Sequence, residues 1–350
     1  MKKLIFTFIC IAMNFVVMAQ EKVHKVEEVS VINYGDGRLL FREMNDDKTP
    51  LNGQHRIIDG YRSEYILAEF KDGMFNGVYQ QFRNGNLIET GTYKEGRWNG
   101  EHKKYFSDGK TLQRLVNFID GKADGISTTY GQNSKIETEK GFKNGVEDGY
   151  DRRYDLETGK VTMDTYYKDG KKAGRWTEQI SGNRTSFTRV SNYANGMLNG
   201  EYSETFSTGK IRKKGSYLGG KKNGVWIINR DNGTPDRSTT YINDEKNGEE
   251  KIFYTSGKIE KSYNYRNGKK HGLCRDYNFE TGKIKAEYNF ENGLREGKYK
   301  YFYADGVLRE EGIYKNDSEV SRIEYYNSGK LKSSTKRDSN GQVETTRYDD

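Results

Sequence analysis

Phe70-Lys71-Asp72-Gly73-Met74-Phe75-Asn76-Gly77-Val78-Tyr79-Gln80-Gln81-Phe82-Arg83-Asn84-Gly85-Asn86-Leu87-Ile88-Glu89-Thr90-Gly91-Thr92-Tyr93 is the stretch whose reading decides the fold. Two runs rich in aromatic and β-branched residues flank Asn84-Gly85, and Asn-Gly between such runs is a strong hairpin signal. Asn and Gly reach positive φ at little cost, which the primed turns of right-twisted hairpins require. A helix here would be broken by glycine after glycine. The unit is therefore a strand, a short turn, a second strand, and a second glycine turn leading onward. Two strands of about six residues with two turns give roughly 24 residues.

Outward from this stretch the pattern x-Asn/Asp-Gly-x-x-Asn/Asp-Gly returns every 23 to 26 residues. Its second glycine falls at Gly53, Gly77, Gly100, Gly125, Gly149, Gly174, Gly200, Gly224, Gly248, Gly272 and Gly297, and Ser321 stands where a twelfth would be. Such a period marks an array in which each unit buries its apolar face only against its neighbours. A central turn recurs as Asp108-Gly109, Thr208-Gly209, Ser256-Gly257 and Thr281-Gly282. The hairpin around Asn133 lacks that glycine, and Asp244 replaces the first glycine of the repeat at Gly248, so bent or loosened hairpins are expected at both. Aromatics hold the same stations in successive units, as in Tyr93, Phe118, Tyr167, Tyr193, Tyr217, Tyr265 and Tyr314, which predicts a ladder of rings along one sheet face. Tyr105-Phe106 and Phe302-Tyr303 occupy both parities, so a second, partly exposed set is expected on the other face.

The N-terminus reads differently. Lys2 and Lys3 precede an apolar run from Leu4 to Met18, and Val17-Met18-Ala19 supplies the small residues of a cleavage site. This is the pattern of a secretory signal peptide over 1–19, and the run is short for a membrane span. The expected location is the periplasm, the cell surface or the medium. Cleavage leaves Cys274 as the one remaining cysteine, so no internal disulfide is expected. Cys274 holds the station taken elsewhere by Tyr79, Trp176 and Tyr202, which makes it a small apolar filler. Cleavage also lowers the formal charge from +8 to +6 (8 − 2). Lysines lie mostly in turns, interleaved with acids, without the clustering of a nucleic-acid footprint. The 27 tyrosines and 16 phenylalanines, with only two prolines, argue for ordered, half-buried strands.

The residue types of a catalytic centre do not converge. His24, His55, His102 and His271 have no metal-ligand spacing to one another or to Cys274. The glycines sit in hairpins and open no helix that could cradle phosphate. Carboxylates fall in turns and on alternating strand positions, where solvation is the plainer role. The expectation is a protein that is not an enzyme and needs no cofactor or metal.

Tyr265-Arg266-Asn267-Gly268-Lys269-Lys270-His271-Gly272, followed by Tyr277 and Thr281-Gly282-Lys283, resembles the bacterial variant of the MORN repeat. So do Phe142-Lys143-Asn144-Gly145-Val146-Glu147-Asp148-Gly149 and Tyr167-Lys168-Asp169-Gly170-Lys171-Lys172-Ala173-Gly174-Arg175-Trp176, and the likeness extends over nearly all of the mature chain. The resemblance implies an all-β fold: an elongated single-layer antiparallel sheet of about twelve consecutive hairpins over 51–350, with little or no helix, serving as a binding or scaffolding surface. Some bacterial members carry an antitoxin-like label. Residues 20–50, with Val29, Val31, Tyr34, Leu39 and Phe41, are expected to form capping strands. Strands spaced ~4.8 Å apart would make an object on the order of 100 Å long. The expected partner is a protein or an envelope component, through a surface carrying Tyr79, Trp98, Tyr105, Trp176, Tyr202, Trp226 and Tyr299. The alternative is a glycan or peptidoglycan module, with Trp98, Trp176 and Trp226 stacking on sugar rings. Contact with anionic lipid through turn lysines ranks below both, and nucleic acid is not expected.

Overall fold

Each repeat divides its labour between its two glycines, and the division differs from the expected one. The tight turn belongs to the first. Asn267 and Gly268 take φ of +49° and +76°, and Arg266 pairs with Lys269 across them. The second glycine, read from sequence as a turn, lies inside the returning strand at a bulge. In the pairing of Pro235–Ile242 with Glu245–Phe253, the register jumps from Thr239↔Glu250 to Tyr241↔Lys246. Thr240 alone therefore faces Asn247, Gly248 and Glu249. Gly248 takes φ +111°, and a Cβ there would stand 3.1 Å from that of Thr240. Because the bulge inserts two residues, the side-chain alternation is the same before and after it.

The computed structural model describes residues 21–182, 186–338 and 340–349. The chain forms two units: residues up to Val146 with Leu156–Gly159, and Glu147–Asp155 with the chain from Lys160 onward. From Gly53 onward each is an open sheet of consecutive antiparallel strands in sequence order. Among the described residues the helical content is one 3-10 turn, Val26–Glu28. The expected signal peptide lies outside the described residues.

In unit 1 the N-terminal segments do more than cap. β1 (Lys22–Lys25) runs parallel to β4 (Gly53–Asp59), while β2 (Val29–Asn33) and β3 (Leu39–Glu43) form a separate two-stranded sheet. β3 packs over β5 (Glu64–Lys71) and β6 (Met74–Arg83), and β7 (Asn86–Lys94) follows in order. Here the sheet has a second layer and a core: Val29, Phe41, Leu51, Ile57, Ala68, Phe70, Phe75 and Tyr79. Phe41 meets Phe70 and Phe75 at centroid distances of 5.2 and 4.7 Å.

Successive repeats are stitched at both margins. The first-glycine N–H donates to the carbonyl of the preceding repeat: Gly96 to Phe75, Gly121 to Trp98 and Gly293 to Lys270, each at 2.8 Å. The Asn or Asp before the second glycine accepts from the next turn, as Asn76 Oδ1 from Glu95 N (3.1 Å) and Asn199 Oδ1 from Gly219 N (3.1 Å). This explains why the motif keeps an amide or acid there. At the opposite margin the lysine after the central Gly reaches one repeat onward: Lys210 Nζ to Asn232 O (2.8 Å) and Lys258 Nζ to Glu280 O (2.9 Å).

The two hairpins expected to loosen are regular. Asn243 and Asp244 adopt φ of +52° and +71° and close the turn, and Ser134 (φ +60°) takes the left-handed place near Asn133. Short polar side chains tolerate this region well enough when flanking pairs hold the ends. Ser321 has a larger effect. The pairing steps from Tyr314↔Glu319 to Ile313↔Ser321, an insertion of one residue. A one-residue change exchanges the faces, so Arg322 lies opposite Gly312 and Ile323 opposite Glu311.

Candidate interaction surface

One row of side chains decides which face is available. The residue two after each repeat glycine is buried throughout: His55, Tyr79, His102, Ser127, Asp151, Trp176, Tyr202, Trp226, Glu250, Cys274 and Tyr299. Across the sheet, large members alternate with small ones. Tyr79 lies between Ala68 and Gly91, Trp176 pairs with Ser191, Tyr202 with Gly215 and Tyr299 with Gly312. With strands about 4.8 Å apart, a ring lies flat only if its neighbour leaves room. A Cβ on Gly215 would fall 2.3 Å from Trp226 Cδ2. Where the station holds Glu250 or Cys274, the partner strand supplies the bulk as Tyr263 or Tyr288.

Five of the seven candidate surface aromatics belong to this row. Tyr79, Trp176, Tyr202, Trp226 and Tyr299 are each at most 9% exposed. Their polar atoms are engaged: the Trp176 and Trp226 indole N–H groups donate to Tyr166 O (3.0 Å) and Ser216 O (3.1 Å). Trp98 is half-buried, 3.8 Å from the Tyr93 ring and 4.3 Å from His102. Tyr105 lines a cavity of about 470 Å³ with Phe106, Arg83 and Glu89. The rings are thus an internal stack, and sequence could not separate this from display because both parities carry aromatics.

A lid covers the stack. Two residues before the repeat glycine, unit 1 has Leu51, Phe75, Trp98 and Ala123, whereas unit 2, after Glu147, has Lys172, Lys222, Lys246, Lys270 and Arg295, with Leu198 the exception. Lys172 Nζ sits 4.2 Å over Trp176, Lys246 4.7 Å over Tyr265 and Arg295 4.6 Å over Tyr314. Their methylene stems cover ring surface while the charge meets the ring face, a substitute for a second layer. Glu250, 2% exposed, adds Lys246 (2.7 Å), Tyr265 OH (3.0 Å) and Thr239 (3.2 Å). Burial would raise its carboxyl, but the Lys246 and Tyr265 bonds win and hold it below the ordinary glutamate value. Burial pushes the Cys274 thiol up, as a filler requires.

Among the described residues the opposite face carries no comparable row of lysines, though Arg152 lies 4.2 Å over the Tyr150 ring. Immediately after the repeat glycines, Val78, Ile126 and Val225 are 48, 63 and 54% exposed. In unit 2 a concavity of about 820 Å³ is lined by Arg175, Val190, Glu201, Lys214, Val225 and Ile227. A smaller one, about 370 Å³, sets Ile313 and Ile323 among Lys298, Lys300 and Lys336. Tyr150 and Tyr166 supply part of the expected second aromatic set, 5.2 Å apart. On the ring face of unit 2, Tyr263, Tyr288, Tyr301 and Phe290 line an opening of about 440 Å³ with Lys270, Asp276, Arg295 and Asp317.

Among the described residues no group of three or more His, Cys, Asp or Glu could hold a metal ion. The structure does bring together two histidines that sequence spacing did not: His24 and His55 are 31 positions apart, and their rings are in direct contact. None of the curated proteins matches the chain. Two segments, 246–267 and 295–316, match the family model described as the MORN repeat variant. Each begins at a lid residue, Lys246 or Arg295, and ends at a tight-turn asparagine, Asn267 or Asn316, so each of these two segments spans one hairpin with its lid.

Proposed function

We propose that the mature chain is an exported, non-enzymatic scaffold that binds a protein or envelope partner through the unlidded face. One observation carries this reading: the aromatic face is packed, hydrogen-bonded and covered by lysine, while the other face leaves aliphatic residues exposed among small polar ones. Exposed apolar groups rimmed by charge mark interaction surfaces. Val190, Val225 and Ile227, flanked by Arg175, Glu201 and Lys214, are the central patch. The test is cross-linking of the chain in its native envelope. A Val225→Glu, Ile227→Glu variant should lose the cross-linked product with unchanged circular dichroism; retention of the product would reject this face. Export rests on the composition of 1–19, and deletion of that segment should hold the protein in the cytoplasm.

A second reading, a glycan module, is favoured by the tyrosine-lined opening. Tyr263, Tyr288 and Tyr301 offer ring faces, and Asp276 and Arg295 offer planar hydrogen-bonding groups with no net charge between them. Titration with chitotriose, with Tyr288→Ala as control, tests it: absence of saturable binding removes this reading.

A further inference from the structure

β1 covers the outer edge of β4 with only four register pairs, Lys22 opposite His55 through Lys25 opposite Ile58. Two imidazoles meet along it. His24 Nε2 lies 2.9 Å from His55 Nδ1, with the rings stacked at 5.0 Å and 22°. His55 Nε2 lies 3.0 Å from Asn52 O, which can only accept, so Nε2 carries the hydrogen and Nδ1 is left to accept from His24. The contact is satisfied with both rings neutral. A proton on His55 Nδ1 removes the acceptor and sets two N–H groups against each other.

The surroundings offer that proton little. His55 is 1% exposed, with Phe70 edge-on at 5.5 Å. Lys22 on β1 opposes a positive charge and Glu43 on β3 favours one. Glu28, on the 3-10 turn, is engaged in capping Lys25 N–H at 2.8 Å. Burial dominates and holds His55 below the ordinary histidine value. The closed state therefore binds fewer protons than the open one, and closure weakens as pH falls below about 6.5.

We propose that β1 is an acid-released cover of a strand-accepting edge, and that β4 then takes an extended polypeptide segment whose carboxylate takes the place of the His24 ring against His55. Release exposes the outward-pointing N–H and C=O groups of β4 between His55 and Ile58, and an exposed edge recruits a strand by main-chain bonding. A carboxylate facing His55 accepts the Nδ1–H in a charge-assisted bond that His24 cannot supply. The edge already accommodates one acid: Glu21 Oε1 lies 2.6 Å from Arg56 Nε. This interaction is separate from the unlidded face and goes beyond the scaffold reading.

The test uses the mature chain and a labelled peptide with the sequence of residues 21–29 carrying His24→Glu. Binding about tenfold tighter at about pH 5.5 than at about pH 7.5 is expected, where glutamate stays ionised and histidine titrates. The unsubstituted peptide should show no such gain. His55→Phe, which keeps a ring against Phe70 without a titrating nitrogen, should abolish the pH dependence. Equal affinity at both pH values, or a dependence that survives His55→Phe, overturns the proposal. If His55→Phe does not fold, amide exchange of the unsubstituted chain decides. Protection at 22–25, corrected for intrinsic rates, should fall on acidification, and unchanged protection overturns the proposal.

Discussion

Gly215 shows how far single atoms set this structure. Its φ is not left-handed, so alanine there meets no backbone strain, only the Trp226 ring at 2.3 and 2.4 Å. Overpacking of this kind costs about 1–3 kcal/mol. We predict that Gly215→Ala lowers stability by that amount in wild type and by almost nothing in a Trp226→Ala background, since the cavity absorbs the methyl group. Additive losses in the double-mutant cycle would show that ring and glycine are not size partners. Lys246 gives a pH-dependent case. Because the folded Glu250 carboxyl titrates below its ordinary value, its stabilisation is present above the unfolded pKa and is lost as pH falls through the folded one. Lys246→Met should destabilise unit 2 by about 1–3 kcal/mol at neutral pH. The loss should shrink as pH falls below the ordinary glutamate range toward the lowered folded value. A deficit constant with pH would assign Lys246 a packing role alone. Burial of Cys274 likewise predicts a thiol unreactive to iodoacetamide in the folded chain and reactive in denaturant.

At the scale of the hairpin, the bulge is the element that makes one repeat pass to the next. Gly200 takes φ +106°, with Asn192 Cβ 3.4 Å from where a Cβ would stand. Asn192 Nδ2 in turn bonds Glu201 O at 2.7 Å, satisfying a carbonyl freed by the bulge. Gly200→Val brings a β-branched residue into the left-handed region, at roughly 1–2 kcal/mol or more. Since each turn bonds only to adjacent repeats, the damage should stay local. Amide exchange should rise around 174–224 and remain slow beyond Gly272. Equal loss throughout unit 2 would mean a single cooperative core. The hairpins were legible in the sequence because Asn-Gly has one strongly preferred use between strands. The bulge was not, since a second glycine four residues on reads equally as a turn. Only the pairing of Thr240 against three residues distinguishes them.

For the whole molecule, protection should follow layering. β5 and β6 of unit 1 lie beneath β3, whose Phe41 packs against Phe70 and Phe75. The rings of unit 2 are covered by lysine side chains instead. Apolar burial stabilises at roughly 25 cal/mol per Å², whereas exposed cation–π contacts give about 0.5–1 kcal/mol each. We expect the slowest amides of the chain between residues 53 and 93, and high salt to speed exchange in unit 2 more than in unit 1. Slowest exchange within unit 2 would contradict this.

The repeat period, the hairpin unit, the aromatic stations and the filler role of Cys274 follow from local chemistry: residue types tied to positive φ, to strand propensity and to volume. They hold whatever surrounds them, so they were readable one residue at a time. Which face is covered is another matter. Tyr79 and Val78 are neighbours in sequence, yet one is buried and the other open. That outcome depends on Gly91 and Ala68 on adjacent strands, on Phe75 from the preceding turn, and on the parity of each bulge. At Ser321 a single inserted residue reverses the faces. His24 and His55 are joined only because β1 folds back parallel to β4. Side-chain alternation has period two, so every register step carries one bit that local sequence leaves unset, and only the paired strands supply it.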